Sequence, residues 1–79
     1  MEFSYEHFVE CLVLGDQRIF SYLNYIIVVE TSKDYCGFIV EQLGKRILKQ
    51  TYKDVHSLLE RAKVDGKTLK ELWDKLILV

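Results

Sequence analysis

Two stretches in the last third of the chain share one pattern of apolar and polar positions. Residues 55–62 and 69–76 both read apolar, polar, polar, apolar, apolar, polar, polar, apolar. Apolar residues that recur every three to four positions mark one face of a helix. Asp54 is placed to cap the first stretch, and Thr68 with Glu71 has the spacing of a capping box before the second. The pattern therefore predicts two helices, each with one apolar face, joined by a sharp turn.

The beginning of the chain predicts one more helix, over residues 5–14. Ser4 stands where an N-cap accepts a hydrogen bond from the first turn, and Gly15 is suited to end the helix in a left-handed conformation. The apolar face of this helix consists of Tyr5, Phe8, Val9 and Leu12.

The middle of the chain is rich in alternating, β-branched and aromatic residues, which is typical of strands. Gly37 indicates a bulge or a close approach within one strand, and Gly44 predicts a type II′ hairpin with glycine first. The second segment is apolar on both faces, so it is either covered on both sides or covered on one side and partly exposed on the other. The predicted strands are residues 18–22, 25–30, 35–42 and a shorter fourth strand at 46–51.

The order of these elements predicts one α+β domain that spans residues 1–79. The domain has an N-terminal helix, a three- to four-stranded antiparallel sheet and two C-terminal helices packed on one face of the sheet. The apolar residues 77–79 either tuck against the body or add a short edge strand.

Composition places the chain among globular proteins, with 49% hydrophobic and 29% charged residues. Its longest apolar run covers residues 25–29, far short of the roughly 20 residues that a membrane helix needs. Residues 1–4 lack the basic start of a signal peptide, and two cysteines, Cys11 and Cys36, fit a reducing compartment. We therefore expect a cytoplasmic protein that does not enter a membrane.

The C-terminal segment carries a resemblance to a known group of proteins. Residues 64–74 read VDGKTLKELWD, and the preceding residues 58–63 read LLERAK. This segment resembles the C-terminal signature of small, stand-alone uncharacterised proteins of Gram-positive bacteria and their mobile elements. The resemblance implies a fold and a bacterial setting. That family has no assigned activity, so no functional residue follows from it.

The residues that could carry chemistry are scattered along the sequence. His7 and Cys11 lie four apart on the first helix and can share a face, as a thiol and its base would. Together with Cys36 and His56 they are ligand types for zinc, but the spacing contains no tight ligand pair. The glycines are isolated, which excludes a glycine-rich phosphate loop. The sequence therefore predicts no catalytic residue, no metal and no cofactor, and hence a protein that is not an enzyme.

Two groups of residues could contact a partner. The first group consists of the tyrosines near the strand ends, Tyr22, Tyr25 and Tyr35. Tyrosines at such positions suit either a protein interface or a half-buried place in the sheet. The second group consists of the basic residues Lys45, Lys49 and Lys53, with Arg46 beside them. The three lysines would share one face of the fourth strand if that strand runs straight, and the group could then contact the phosphates of a nucleic acid. Protection of an edge strand explains these bases better, and the net charge of −1 disfavours nucleic acid.

We interpret the chain as a small non-catalytic module that binds another protein through a sheet face or the edge of the third strand. Residues 1–40 hold six acids against two bases, and residues 41–79 hold six acids against nine bases. A bacterial or phage-encoded inhibitor of the immunity, antitoxin or anti-defence type is one concrete form of the hypothesis. The alternatives are a weak nucleic-acid binder that uses the basic strand, and a homodimer. The dimer would bury either Ile27 with Val29 or Ile26 with Val28.

Overall fold

A computed structural model describes residues 4–79. The first three residues, on which part of the argument against a signal peptide rests, lie outside this range. The first helix, α1, spans Tyr5–Leu14, as predicted. The Ser4 hydroxyl accepts a hydrogen bond from the His7 backbone N–H at 3.1 Å. Gly15 ends the helix with a φ of +100°, a conformation that glycine adopts readily.

Residues 4–79 form the strands β1 (Gln17–Tyr22), β2 (Tyr25–Ser32), β3 (Tyr35–Gln42), β4 (Lys45–Thr51), β5 (Lys63–Val64), β6 (Lys67–Thr68) and β7 (Ile77–Leu78). Five of them form an antiparallel sheet in the order β4-β3-β2-β1-β7, because residues 77–78 add a strand to the four predicted ones. The short β7 pairs with the outer edge of β1, so the edge-strand alternative for this segment is confirmed. A separate two-stranded ribbon joins β5 to β6.

The two C-terminal helices are shorter than the pattern predicts. Helix α2 spans Val55–Arg61 and packs against β3, whereas α3 is a single turn at Leu69–Leu72. A 3-10 turn, Trp73–Lys75, continues α3, because the chain must become extended before it reaches β7. The helices that pack directly on the sheet are therefore α1, against β2, and α2. This corrects the expectation of two C-terminal helices on the sheet face.

Both predicted C-terminal caps form. The Asp54 carboxylate accepts a hydrogen bond from the Ser57 N–H at 2.8 Å, which lowers the pKa of Asp54. Thr68 and Glu71 form a capping box, and the hydrogen bond from the Thr68 N–H lowers the pKa of Glu71. Local sequence signals thus determine where both helices begin.

The hairpin turns differ from the prediction in their detail. β3 ends at Gln42 and β4 begins at Lys45, so Leu43 and Gly44 are the two turn residues, with φ of +53° and +79°. Positive φ at both positions is the type I′ arrangement, in which glycine comes second rather than first. Leu23, in the turn between β1 and β2, also has a positive φ of +52°. Both leucines occupy a backbone region that disfavours their side chains.

One face of the sheet and all three helices enclose the hydrophobic core. Phe8 of α1 meets Phe20 of β1 edge to face, with 5.4 Å between ring centroids. The Trp73 ring lies against both, at 5.0 Å from Phe8 and 5.7 Å from Phe20. The largest fully buried side chains are Phe8, Phe20, Phe38, Leu12, Ile27, Leu58, Leu69, Leu72 and Val29.

A single buried threonine ties α1 to the sheet. Thr31 of β2 donates its hydroxyl hydrogen to the Leu12 carbonyl at 2.6 Å and accepts a hydrogen bond from the Asp16 N–H at 3.1 Å. Its own backbone N–H donates to the Asp16 carbonyl at 2.8 Å. These bonds satisfy polar groups where the chain leaves α1 and enters β1.

Candidate functional site

The sheet face opposite the helices is uncovered by any other part of residues 4–79. We call it the open face. Across its middle, Ile19, Val28 and Ile39 stand directly opposite one another on β1, β2 and β3. These three side chains are half-buried by their neighbours, while Ile26 and Ile77 at one end of the sheet are 39% and 66% exposed. An apolar band therefore crosses the sheet from strand to strand.

Charged side chains border this band. Glu30 of β2 and Glu41 of β3 lie on the open face on either side of the apolar row. Arg46 and Lys49 lie on the same face at the edge strand β4, opposite Glu41 and Ile39 respectively. The open face thus combines an apolar centre, acids on its middle strands and bases along one edge.

The glycine within β3 has a steric reason. The Tyr35 ring lies over Gly37 on the open face and occupies the space in which a Cβ on residue 37 would stand. Gly37 is consequently buried, although it belongs to an uncovered face. The sequence indicated either a bulge or a close approach at Gly37, and the structure has the close approach, by the Tyr35 ring.

The three tyrosines do not form one surface. Tyr22 is only 7% exposed, and its ring stacks on Tyr25 with 6.4 Å between centroids on the helix side of the sheet. Tyr35 lies on the open face at the opposite end of the sheet. The core therefore covers most of Tyr22 in the isolated chain, and its role in binding a partner stays a prediction. Alternation along a strand places Phe20 and Tyr22 on one face, but it does not show which face the helices cover.

The four bases near β4 do not share a face either. A register shift in the pairing of β3 with β4 leaves Ile47 without a direct partner, so the strand does not run straight. Arg46 and Lys49 consequently point to the open face, whereas Lys45 stands opposite Gln42 on the other side. Lys53 follows the end of β4 and lies in the loop that leads to α2.

Lys53 instead belongs to a polar groove between the end of β4 and α2. The groove has a volume of about 500 Å³ and contains side chains from both elements. Burial raises the pKa of the Tyr52 phenol in this groove, and the nearby positive charge of Arg61 acts in the opposite direction. The lining residues are Gln50, Thr51, Tyr52, Lys53, Ser57 and Arg61. Among the described residues that line it, none has a carboxylate.

A second cavity, of about 590 Å³, opens between the end of α1 and the start of α2. Its lining mixes both signs of charge, with Lys33 and His56 beside Asp34 and Asp54. The buried Cys36 also lines it, and burial, followed by the charge of Asp54, raises the pKa of that thiol. The mixed lining does not select for one class of ligand.

His7 and Cys11 lie close together, but the four candidate zinc ligands do not form one cluster. Cys11 Sγ lies 3.7 Å from His7 Nε2, and Arg18 Nη2 donates a hydrogen bond to the same sulfur at 3.9 Å. Arg18 also forms an ion pair with Asp16 at 2.7 Å. Within residues 4–79, no group of three or more His, Cys, Asp or Glu side chains is arranged to hold a metal ion. Both cysteines are free thiols.

The two pairs of residues that were considered for a dimer contact lie on opposite faces of the sheet. Ile27 and Val29 are fully buried beneath the helices, so they cannot face a second copy. Ile26 and Val28 lie on the open face. Of the two pairs, only the second remains available for a contact between molecules.

No protein-family model, curated protein or solved structure matches the chain. The resemblance of residues 58–74 to the mobile-element-associated family therefore stays a hypothesis. No helix within the described part of the chain has the length and apolar character needed to cross a membrane.

Proposed function

We propose that this protein is a small protein-binding module that contacts its partner with the open face of the sheet. The observation that carries the proposal is the apolar row of Ile19, Val28 and Ile39 with charged residues around it. A protein interface typically has an apolar centre and a polar rim. A complementary partner would present apolar side chains to the row, bases to Glu30 and Glu41, and acids to the β4 edge.

The dimensions of the face bear on how strong such a contact can be. Four strands spaced about 4.8 Å apart, with about seven residues of about 3.3 Å each, cover roughly 450 Å². A standard interface buries about 800 Å² on each partner. The contact must therefore be transient, or it must extend beyond the flat face. The hairpin tips extend the surface, because Leu23 and Leu43 lie at the same end of the sheet and are 72% and 86% exposed.

A bacterial or phage-encoded inhibitor is one form that such a module takes, and it stays a hypothesis. An inhibitor acts by occupying its target, so it needs a complementary surface and no reacting group. The open face would supply that surface.

The test compares two substitutions that place the same charged side chain on an apolar position. Val28→Lys puts an ammonium in the centre of the apolar row, and Leu14→Lys puts one on an exposed residue at the end of α1, away from the sheet face. A partner captured with the unchanged protein from its native host is purified and titrated with all three proteins. We expect V28K to bind at least about tenfold more weakly, which corresponds to about 1.4 kcal/mol, and L14K to bind normally. Equal affinity of V28K and the unchanged protein would exclude the open face as the contact surface.

A further inference from the structure

The polar groove beside α2 is built by two separate elements whose positions are fixed by hydrogen bonds. The Tyr52 N–H donates to the Cys36 carbonyl at 2.9 Å and holds the end of β4 against β3. Asp54 caps α2 through the Ser57 N–H. Ser57 and Arg61 lie four residues apart on α2 and therefore share one side of the helix, which faces the groove. The site exists only in the folded chain, since its two cations are eight residues apart in the sequence.

The chemistry of the lining favours an anion with several oxygen atoms. Lys53 supplies an ammonium and Arg61 a planar guanidinium, and both are exposed residues that line the groove. Hydroxyl groups and an amide surround them and can donate further hydrogen bonds. Arginine and lysine together with hydroxyl donors form the usual environment of a bound phosphate. The nearest acid in the sequence, Asp54, is engaged at the helix cap.

The size of the groove points to a ligand larger than a phosphate ion. A volume of about 500 Å³ lies within the range of about 300–1,000 Å³ that is typical of small-molecule sites. Tyr52 packs partly against the core and lines the same groove, and bases of nucleotides stack on aromatic rings.

We propose that the groove between β4 and α2 binds a phosphate ester of a nucleotide, held by Lys53 and Arg61, with the base on Tyr52. The phosphate ester comes either from a free nucleotide or from a single-stranded nucleic acid. The proposal does not depend on the open face. It keeps only Lys53 of the four bases that the sequence indicated and adds Arg61, because Lys45, Arg46 and Lys49 do not line the groove.

The experiment measures the anisotropy of a fluorescein-labelled single-stranded oligodeoxythymidine in increasing salt. Two cations that contact phosphates predict a slope of about −1.4 for the logarithm of the binding constant against the logarithm of the salt concentration, at about −0.7 per contact. Affinity then falls about sevenfold between about 50 and about 200 mM salt. Lys53→Gln and Arg61→Gln each reduce the slope to about −0.7. Lys75→Gln, which removes an equal charge from the 3-10 turn, leaves the slope and the affinity unchanged.

Competition identifies the source of the phosphate ester. Displacement of the probe by adenosine monophosphate as well as by unlabelled oligonucleotide assigns the site to a free nucleotide, and displacement by the oligonucleotide alone assigns it to a strand. Both results support the proposal. It is overturned if no binding is measured at low salt, if K53Q and R61Q bind like K75Q, or if polyglutamate displaces the probe as well as the oligonucleotide does. Since the V28K experiment probes another surface, each proposal can fail without the other.

Discussion

Replacement of Thr31 by valine tests how α1 is fixed to the sheet. Valine has nearly the same shape, but it lacks the hydroxyl that bonds to the Leu12 carbonyl and to the Asp16 N–H. The Leu12 carbonyl keeps its bond from the Gly15 N–H, whereas the Asp16 N–H loses its hydroxyl partner. A hydrogen bond contributes about 1 kcal/mol, and a buried group left without a partner costs about 1–3 kcal/mol. Because the Asp16 N–H is only partly buried, its cost lies in the lower part of that range, and we expect T31V to lower the free energy of unfolding by about 2–3 kcal/mol.

That loss is large for a domain of this size. Stabilities of about 0.05–0.15 kcal/mol per residue give about 4–12 kcal/mol for 79 residues. At about 4–8 °C per kcal/mol, the melting temperature should fall by about 8–24 °C. Urea denaturation followed by circular dichroism gives the free energy, and calorimetry gives the melting temperature.

Two further variants make the result specific to the hydroxyl. Thr31→Ser keeps the hydroxyl and should retain most of the stability that T31V loses. Thr51→Val makes the same change at an exposed strand position and should stay within about 0.5 kcal/mol of the unchanged chain. If T31V and T51V have equal stability, the hydrogen bonds of Thr31 do not hold the helix and the reasoning is refuted.

Three other predictions follow from turns, thiols and helix caps. Leu43→Asn should raise the free energy of unfolding by about 0.5–1 kcal/mol in urea, because asparagine tolerates a positive φ that costs leucine about 1 kcal/mol or more; an unchanged or lower value would contradict a strained turn. Iodoacetamide should label Cys11 in the native protein and Cys36 only after unfolding, as measured by intact mass, because Cys36 is buried; equal native rates would contradict this placement. The lowered pKa values of Asp54 and Glu71 contribute stability that is complete above their ordinary values of 3.8 and 4.5 and is lost as the pH falls through the lowered ones. The double variant D54N/E71Q keeps both caps without these titrations, so its unfolding free energy should fall less on acidification; an equal fall would assign the acid sensitivity to other groups.

Local signals predicted the helices and most of the sheet. The caps of α1, α2 and α3 formed where short-range hydrogen bonding places them, and α1 has the predicted bounds. The fifth strand was left as one of two alternatives. A strand of two residues shows no periodicity, and its pairing with β1 depends on the three-dimensional path of the chain.

The surfaces were harder to predict because they depend on register and on packing. The shift beside Ile47 arises from the pairing of two strands, and it separates Lys45 from Lys49. The burial of Tyr22 depends on which face the helices cover. The presence of Lys53 and Arg61 in one groove depends on the position of α2 relative to the end of β4. None of these relations appears in the local alternation of residues, so the sequence indicated the right residue types and grouped them incorrectly.

The two-residue strand β7 has a consequence for the protection of the sheet edge while the chain is being made. Until Ile77 and Leu78 leave the ribosome, β1 exposes an outer edge with unpaired N–H and C=O groups beside the growing core. Such an edge can pair with a strand of a neighbouring molecule. Nascent or truncated chains that end before Ile77 should therefore aggregate more readily than chains that reach Leu78. Pairing of Ile77 and Leu78 with β1 closes that edge and removes the hazard.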